Sequence, residues 1–230
     1  MVAVSYTHLD VYKRQQKDVP LILSTGMSTL EEIHEAVGVI KAERLRHGYL
    51  APIESMLTVL HCTSNYPAEC KDVNLRAMQT IASDTGLPVG YSDHTLGLAV
   101  STAAVAMGAL IIEKHFTLDR DLPGPDHKAS LNPDELKALV KQIRDVELAL
   151  GSAVKEPTTS ELPVRALVRR SVTTIKSIKK GVVIRNEDFA LLRPGTGILP
   201  ADLVKVVGKK TKRDIDSGVT LQWSDLEDEA

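Results

Sequence analysis

Two histidines follow two successive apolar runs, and each belongs to a cluster of polar side chains. His94 comes shortly after Leu87–Gly90, and His115 comes shortly after Ala109–Ile112. If the two runs form adjacent parallel strands about 4.8 Å apart, both imidazoles can reach one metal ion. Two imidazoles with oxygen donors such as Glu113 nearby suit Mn²⁺, Co²⁺ or Fe²⁺ as well as Zn²⁺. The alternative is that each histidine is a hydrogen-bonded structural residue.

Polar residues also follow the two earlier apolar runs, so all four predicted strands end in groups that can bind a ligand. Because the carboxyl ends of parallel strands form one rim, where α/β enzymes build their active sites, these side chains predict one site. Cys62 is interpreted as a small core residue, since the spacing places no base beside it. If the sheet belongs to a barrel, His61 could face the barrel interior. The loop with Asp126 and His127 is expected to be functional. The rim residues are Ser24, Thr25, Thr63, Ser64, Tyr66, Ser92, Asp93, His94, Glu113 and His115.

Four strand–loop–helix units with short connections would position this rim. Buried apolar runs without polar alternation are typical of a parallel sheet that helices cover. The predicted fold class is therefore α/β, the C-terminal half of a (β/α)₈ TIM barrel, with a flavodoxin-like open sheet as the alternative. The predicted strands are 19–23, 56–61, 87–90 and 109–112, and the predicted helices are 30–45, 75–83 with Asn74 as cap, 98–107 and 133–150.

The chain divides by composition into an acidic body and a basic C-terminal module. Between residues 155 and 214 there are 14 Lys and Arg against 6 Asp and Glu, whereas the rest of the chain has 14 against 24. We predict a partial barrel over 16–152, a linker over 153–163, and a small, mostly β domain over 164–230 with β runs at 171–175, 182–184 and 220–222. Residues 1–15 resemble translated sequencing-adapter sequence, and we predict that they are a leader foreign to the protein.

Composition excludes several classes of protein. A chain of 230 residues with 43% apolar residues and a net charge of -2 is neither disordered, collagen-like nor a disulfide scaffold. Two cysteines favour a reducing, cytoplasmic setting. No uninterrupted apolar stretch reaches about 18 residues, so no membrane partner is expected. Aromatic residues do not alternate with the basic ones, so nucleic acid is not expected as a partner either.

Six motifs occur in a fixed order along the chain. They are STGMS (24–28), HCTSNYP (61–67), GYSDHTLG (90–97), EKHFTLD (113–119), PGPDHKAS (123–130) and RPGTG (193–197). In this order they resemble the bacterial N-acetylneuraminate (sialic acid) synthase family. The C-terminal module is similar to the antifreeze-like (SAF, β-clip) domain attached to those enzymes.

This resemblance implies condensation of phosphoenolpyruvate with the open-chain aldehyde of N-acetylmannosamine and water, which gives N-acetylneuraminate and phosphate. It implies a divalent metal, Mn²⁺ first with Mg²⁺ or Co²⁺ as alternatives, which His94 and His115 would hold. A domain-swapped homodimer is the implied assembly, in which the basic module covers the partner's site. The implied contacts are Ser24, Ser64, Ser92 and Tyr66 with phosphoenolpyruvate, Glu113 and Asp126 with the sugar or a metal-bound water, and Arg193 of the partner subunit with the sugar.

Other products and one non-enzymatic function stay open at this point. A legionaminic or pseudaminic acid synthase would use the same chemistry, and the β module alone could be a carbohydrate- or ice-binding domain. The resemblance also implies that phosphate-binding lysines belong to a first half-barrel that this sequence does not include. We therefore expect the 230-residue chain alone to be inactive and poorly folded, because an open half-barrel leaves strand edges unpaired.

Overall fold

The computed structural model describes residues 18–227, and the predicted leader, residues 1–15, lies outside that range. The chain forms two compact units that separate after Gly151. Each unit has its own buried apolar cluster.

The first unit is built on a parallel sheet of four strands. The strands are β1 (Leu21–Ser24), β2 (Leu57–Cys62), β3 (Val89–Asp93) and β4 (Ile112–Lys114), and they lie side by side in chain order. A doubly wound sheet such as that of flavodoxin reverses its strand order, whereas a barrel winds in one direction. The chain-order winding therefore confirms the half-barrel prediction and not the flavodoxin-like alternative.

β3 and β4 begin two or three residues later than predicted. Leu87 and Ala109, which open the two apolar runs, are 4% and 7% exposed, but neither belongs to a strand. Burial under the helices thus starts before strand pairing does. Hydrophobicity alone therefore does not show where a strand begins.

The helices follow the strands. They are α1 (Leu30–Arg46), the single turn α2 (Ile53–Met56), α3 (Arg76–Thr85), α4 (Ala99–Ala106) and α5 (Pro133–Leu150). Thr29 and Asn132 each cap a helix in a capping box, since each side chain accepts from the third helical N–H and a glutamate returns the bond.

The predicted cap at Asn74 is wrong. Asn74 has a φ of 50°, and its side-chain amide donates to the carbonyl of Asp72 instead of accepting from the helix. Asparagine tolerates this left-handed conformation because its short polar side chain can bond to nearby backbone. The residue therefore forms a turn before α3, which starts at Arg76.

The two faces of the sheet have different roles. Odd-numbered residues of β2 and β3, such as Val59, Val89 and Tyr91, pack in the core against the helices. Even-numbered residues face the inner side, where Gly90 is tightly enclosed: a Cβ there would lie 2.5 Å from the Ile111 carbonyl oxygen. Because side chains alternate along a strand, Ser92, two positions beyond Gly90, must also face inward.

The second unit contains α6 (Glu161–Val168), β5 (Ser171–Thr174), β6 (Phe189–Leu192) and the single turn α7 (Leu203–Val206), and β5 pairs antiparallel with β6. β6 was not predicted, and α6 begins inside the predicted linker. The predicted β runs at 182–184 and 220–222 are single bridges, Val183 to Lys210 and Thr173 to Thr220, not strands. Glycines with positive φ at positions 181, 208 and 218 end the extended segments beside these bridges. Between residues 18 and 227, no helix combines the length and apolar character that crossing a membrane requires.

Candidate active site

Three aromatic rings gather at the carboxyl end of the sheet. The ring of His94 lies 5.3 Å from that of His115, centroid to centroid, in an edge-to-face arrangement. Tyr66, in the loop after β2, places its ring 4.2 Å from His94 and 5.6 Å from His115. The structure therefore brings together three residues that the sequence assigned to one rim.

A hydrogen bond determines which nitrogen of His94 is free for a ligand. His94 is 9% exposed, and its Nδ1 lies 2.8 Å from the carbonyl oxygen of Thr63. Because a carbonyl oxygen only accepts, Nδ1 carries the proton, and Nε2 carries the lone pair in the neutral ring. Metal-binding histidines are commonly held in this way, with the second ring nitrogen donating to a backbone carbonyl.

His94 and His115 fit a cation that takes two imidazoles and completes its coordination with oxygen. Within residues 18–227, no group of three or more His, Cys, Asp and Glu side chains is arranged to hold a metal ion. A structural zinc site has four protein ligands, so this part of the chain contains no such site. The pair suits an ion such as Mn²⁺, which accepts carboxylate, carbonyl or water oxygens beside imidazole.

Ser92 and Glu113 form a second polar pair beside the histidines. They are partners in the β3–β4 ladder, and Ser92 Oγ donates to Glu113 Oε1 at 2.7 Å. The serine hydroxyl has one proton, so its oxygen turns only lone pairs to a further ligand while this bond is made. The arrangement supplies an oriented carboxylate next to His94 and His115, as general base chemistry requires.

Cys62 is more polar in its surroundings than the sequence predicts, because a histidine does lie beside it. Its Sγ is 3.7 Å from Nδ1 of His94. Burial raises the pKa of the thiol, but hydrogen bonds with His94, Ser24 and Ser92 outweigh burial and lower the pKa overall. For His94 the directions are reversed: burial lowers the pKa of the imidazole, but its hydrogen bonds with Cys62 and the Thr63 carbonyl outweigh burial and raise the pKa overall. The sequence contains no local signal for these contacts, because Cys62 and Ser92 become neighbours only in the β2–β3 ladder.

Ser64 lies directly over Gly26. A Cβ on Gly26 would be 2.1 Å from Ser64 Oγ and 3.4 Å from Cys62 Sγ. Only glycine allows the Ser64 hydroxyl to occupy this position beside the end of β1. Ser24, Cys62 and Ser64 therefore form the part of the rim on the β1–β2 side.

The loop after β4 contributes an exposed carboxylate, Asp126, and a structural histidine, His127. The charge of Asp126 acts on Tyr66 of the loop after β2: partial burial, together with the charges of Cys62 and Asp126, raises the pKa of the Tyr66 phenol, which therefore keeps its proton at neutral pH. His127 Nδ1 lies 2.7 Å from Thr117 Oγ1, and that hydroxyl gives its own proton to a backbone carbonyl. His127 therefore donates to Thr117 and anchors the loop.

Two sequence-level interpretations of side-chain direction are wrong. His61 faces the helices, where its Nε2 lies 2.7 Å from the Val73 carbonyl oxygen, and not the barrel interior. Asp93 faces away from the rim and accepts hydrogen bonds from Ser101 of α4 and from Lys114. In both cases the residue has the odd parity of the helix-facing side of its strand.

Arg193 belongs to the second unit, where it is exposed just after β6. Its contact with the sugar stays a prediction, as do the roles assigned to the other site residues.

The fold and site define an α/β half-barrel protein with a cluster of polar side chains at the carboxyl rim of its strands, followed by a small second domain. Residues 3–155 match the model of the NeuB family, and residues 169–227 match that of the SAF domain. The chain therefore belongs to the NeuB family. The match begins at residue 3, inside the predicted foreign leader, whose origin stays a prediction.

Relatives and solved structures agree with this family. The chain is 53% identical to the N,N'-diacetyllegionaminic acid synthase of Legionella pneumophila over 92% of its own length, but it spans only 58% of that relative. It is 44% identical to the N,N'-diacetyllegionaminic acid synthase of Campylobacter jejuni, of which it spans 59%. The crystal structure of N-acetylneuraminic acid synthetase from Leptospira borgpetersenii, in complex with citrate, aligns at 37% identity with a TM-score of 0.59, over 68% of this chain and 51% of that one.

Proposed function

We propose that this chain is the rear part of a synthase that condenses phosphoenolpyruvate with a 2,4-diacetamido sugar aldehyde to form N,N'-diacetyllegionaminic acid. Condensation chemistry is supported by one arrangement above all, the His94–His115 pair beside the Ser92–Glu113 pair. The choice of product is supported by identity, because the chain is 53% identical to a legionaminic acid synthase and 37% identical to the sialic acid synthetase. The legionaminic alternative of the sequence analysis is therefore better supported than N-acetylneuraminate.

In the proposed reaction, the methylene carbon of phosphoenolpyruvate forms a bond to the aldehyde carbon of the sugar. Water adds to the neighbouring carbon, and phosphate leaves, so that a 2-keto acid with three additional carbons results. A divalent cation, when bound by His94 and His115, would polarise the aldehyde oxygen. Mn²⁺ is our first choice, and Mg²⁺ or Co²⁺ is the alternative.

The side chains of this chain have separate tasks in the proposed reaction. Glu113 would take a proton from the attacking water, because it is the carboxylate aligned with Ser92 at the inner side of the sheet. The phenol of Tyr66 would donate to phosphoenolpyruvate, and Asp126, near Tyr66, would accept from the sugar. The remaining proposed contacts are Ser24, Ser64 and Ser92 with phosphoenolpyruvate, and Arg193 of the partner subunit of a domain-swapped homodimer with the sugar. To donate to phosphoenolpyruvate, Ser92 would turn its hydroxyl proton away from Glu113.

The proposal is tested with the complete protein encoded by the gene from which this chain comes. Phosphate release is measured with phosphoenolpyruvate and Mn²⁺, and either the 2,4-diacetamido sugar or N-acetylmannosamine. We expect kcat/KM to be at least about tenfold higher for the diacetamido sugar, a difference of about 1.4 kcal/mol. A preference for N-acetylmannosamine would favour the sialic acid product, and no phosphate from either sugar would contradict the synthase proposal.

A further inference from the structure

A buried ion pair lies directly behind the two histidines. Asp93 precedes His94 and Lys114 precedes His115, and Lys114 Nζ lies 2.8 Å from Asp93 Oδ2. The side chains of Asp93 and Lys114 are 0% and 4% exposed. Both belong to the helix-facing side of the sheet, so neither can touch a ligand at the rim.

Every acceptor of this carboxylate is used. Oδ1 of Asp93 accepts from the N–H and the hydroxyl of Thr95, both at 2.8 Å. Oδ2 accepts from Ser101 and from Lys114, whose ammonium also donates to the Thr95 carbonyl at 2.7 Å. The network therefore holds the backbone on both sides of His94, through Asp93 and Thr95.

The pair is costly if stability is its only role. Two charges lose their hydration when they are buried, and well-packed apolar residues of similar volume often stabilise a protein as much or more. What a buried ion pair can add is a unique register. Asp93 and Lys114 are ladder partners, and β4 has only three residues. A slip of one residue would turn His115 toward the helices, because side chains alternate along a strand.

We propose that Asp93 and Lys114 are positioning residues, which hold the ends of β3 and β4 so that the rings of His94 and His115 converge on one ion. That His94 and His115 bind an ion depends on the proposed function, whereas the arrangement of the two rings does not. The two parts of the inference can therefore be measured separately.

The test uses the complete protein encoded by the gene from which this chain comes, with isotope-labelled histidines. The variant Asp93→Asn/Lys114→Met removes both charges together, so that no unpaired charge stays buried. Three readouts are compared with the wild type: the proton–proton NOE between the His94 and His115 rings, Mn²⁺ affinity by electron paramagnetic resonance, and far-UV circular dichroism. Lys176→Met is the matched control, since it breaks an ammonium–carboxylate pair with Asp188, 2.6 Å long, in the second unit.

We expect the double variant to keep its circular dichroism spectrum, lose the ring-to-ring NOE, and bind Mn²⁺ about 10- to 100-fold more weakly, as outer-shell changes at metal sites do. The control should change neither the NOE nor the affinity. A folded double variant with the wild-type NOE overturns the proposal. If the wild-type protein binds no Mn²⁺ and the double variant still loses the NOE, the result supports the positioning role and contradicts the proposed metal site.

If the double variant unfolds, the Lys114→Arg variant tests the proposal instead. The planar guanidinium keeps the charge but cannot reproduce the compact ammonium that bonds to both Asp93 and Thr95. A weaker NOE and a several-fold loss of Mn²⁺ affinity are expected, and wild-type values for both would overturn the proposal.

Discussion

Ser92 on β3 donates its hydroxyl proton to Glu113 on β4 across 2.7 Å. The bond joins two ladder partners on the inner side of the sheet, next to the histidine pair. It orients one carboxylate oxygen toward Ser92, and the other is available to a ligand.

The first prediction concerns Glu113→Gln in the complete protein. The amide oxygen can still accept from Ser92, but the side chain can no longer take a proton from water. We expect kcat to fall by about 10²- to 10⁴-fold, the usual effect of losing a general base, with little change in KM for phosphoenolpyruvate. Phosphate release measures both constants, and Glu54→Gln, at an exposed position of α2, is the control. A wild-type kcat in Glu113→Gln would remove Glu113 from the proposed reaction.

The histidine pair gives the second prediction. Replacement of either His94 or His115 by Ala leaves one imidazole, so we expect Mn²⁺ affinity to fall at least about 100-fold and metal-dependent turnover to be lost. Electron paramagnetic resonance of free Mn²⁺ measures the affinity. His34→Ala removes an imidazole that is 51% exposed and should change nothing. Turnover that survives both substitutions would contradict the metal role.

Two glycines give a third prediction with opposite signs. In Gly90→Ala the new methyl group would lie 2.5 Å from both the Ile111 carbonyl oxygen and Leu60 Cδ2, and a backbone atom cannot easily move. We expect a loss of about 1–3 kcal/mol in the free energy of unfolding. Gly38→Ala, on the exposed side of α1 with nothing within 4 Å, should instead gain about 0.5–1 kcal/mol. Urea unfolding followed by far-UV circular dichroism measures both changes, and equal effects would show that the crowding at Gly90 is relieved.

The fourth prediction is a pH dependence of the second unit. Burial raises the pKa of Asp188, but its ion pair with Lys176 and its hydrogen bond from the Arg185 N–H outweigh burial and lower the pKa overall. A lowered pKa in the folded state adds stability above the unfolded value of about 3.9, and this stability is lost as the pH falls through the folded value.

We therefore expect Asp188→Asn to cost about 1.5–3 kcal/mol at pH 7, and less as the pH falls below about 4. Trp223, the single tryptophan, reports on this unit, so urea unfolding is followed by its fluorescence. Glu187→Gln, at an adjacent exposed carboxylate, is the matched control. A cost for Asp188→Asn that stays the same at pH 3 and pH 7 would contradict the lowered pKa.

The fifth prediction concerns the inner side of the sheet. Ile22, on this side of β1, is 43% exposed. This apolar side chain would be covered by the first half-barrel that we propose to precede this chain. The 230-residue chain alone should release no phosphate from phosphoenolpyruvate and the diacetamido sugar, whereas coexpression with the part of the Legionella pneumophila relative that this chain does not match should restore release. Activity of the chain alone would contradict this prediction.

Local sequence determined most elements of the first unit, but not the start of α3 or the first residues of β3 and β4. The capping boxes of Thr29 and Asn132 join residues only three positions apart, so the starts of these two helices depend on local sequence. Four apolar runs with short connections predict a parallel half-barrel for a similar reason, since burial on both faces leaves a continuous apolar pattern. The motif order then identified the family.

Tertiary structure alone decided which way the rim side chains face. Asp93 and His94 are neighbours in sequence, yet one is buried against α4 and the other lies beside Tyr66. The period of a strand is two, so the direction of every side chain depends on the pairing register, which residues far away in the chain determine. The hydrogen bond between His94 and Cys62 has the same origin, because it joins the ends of two strands that only the sheet brings together.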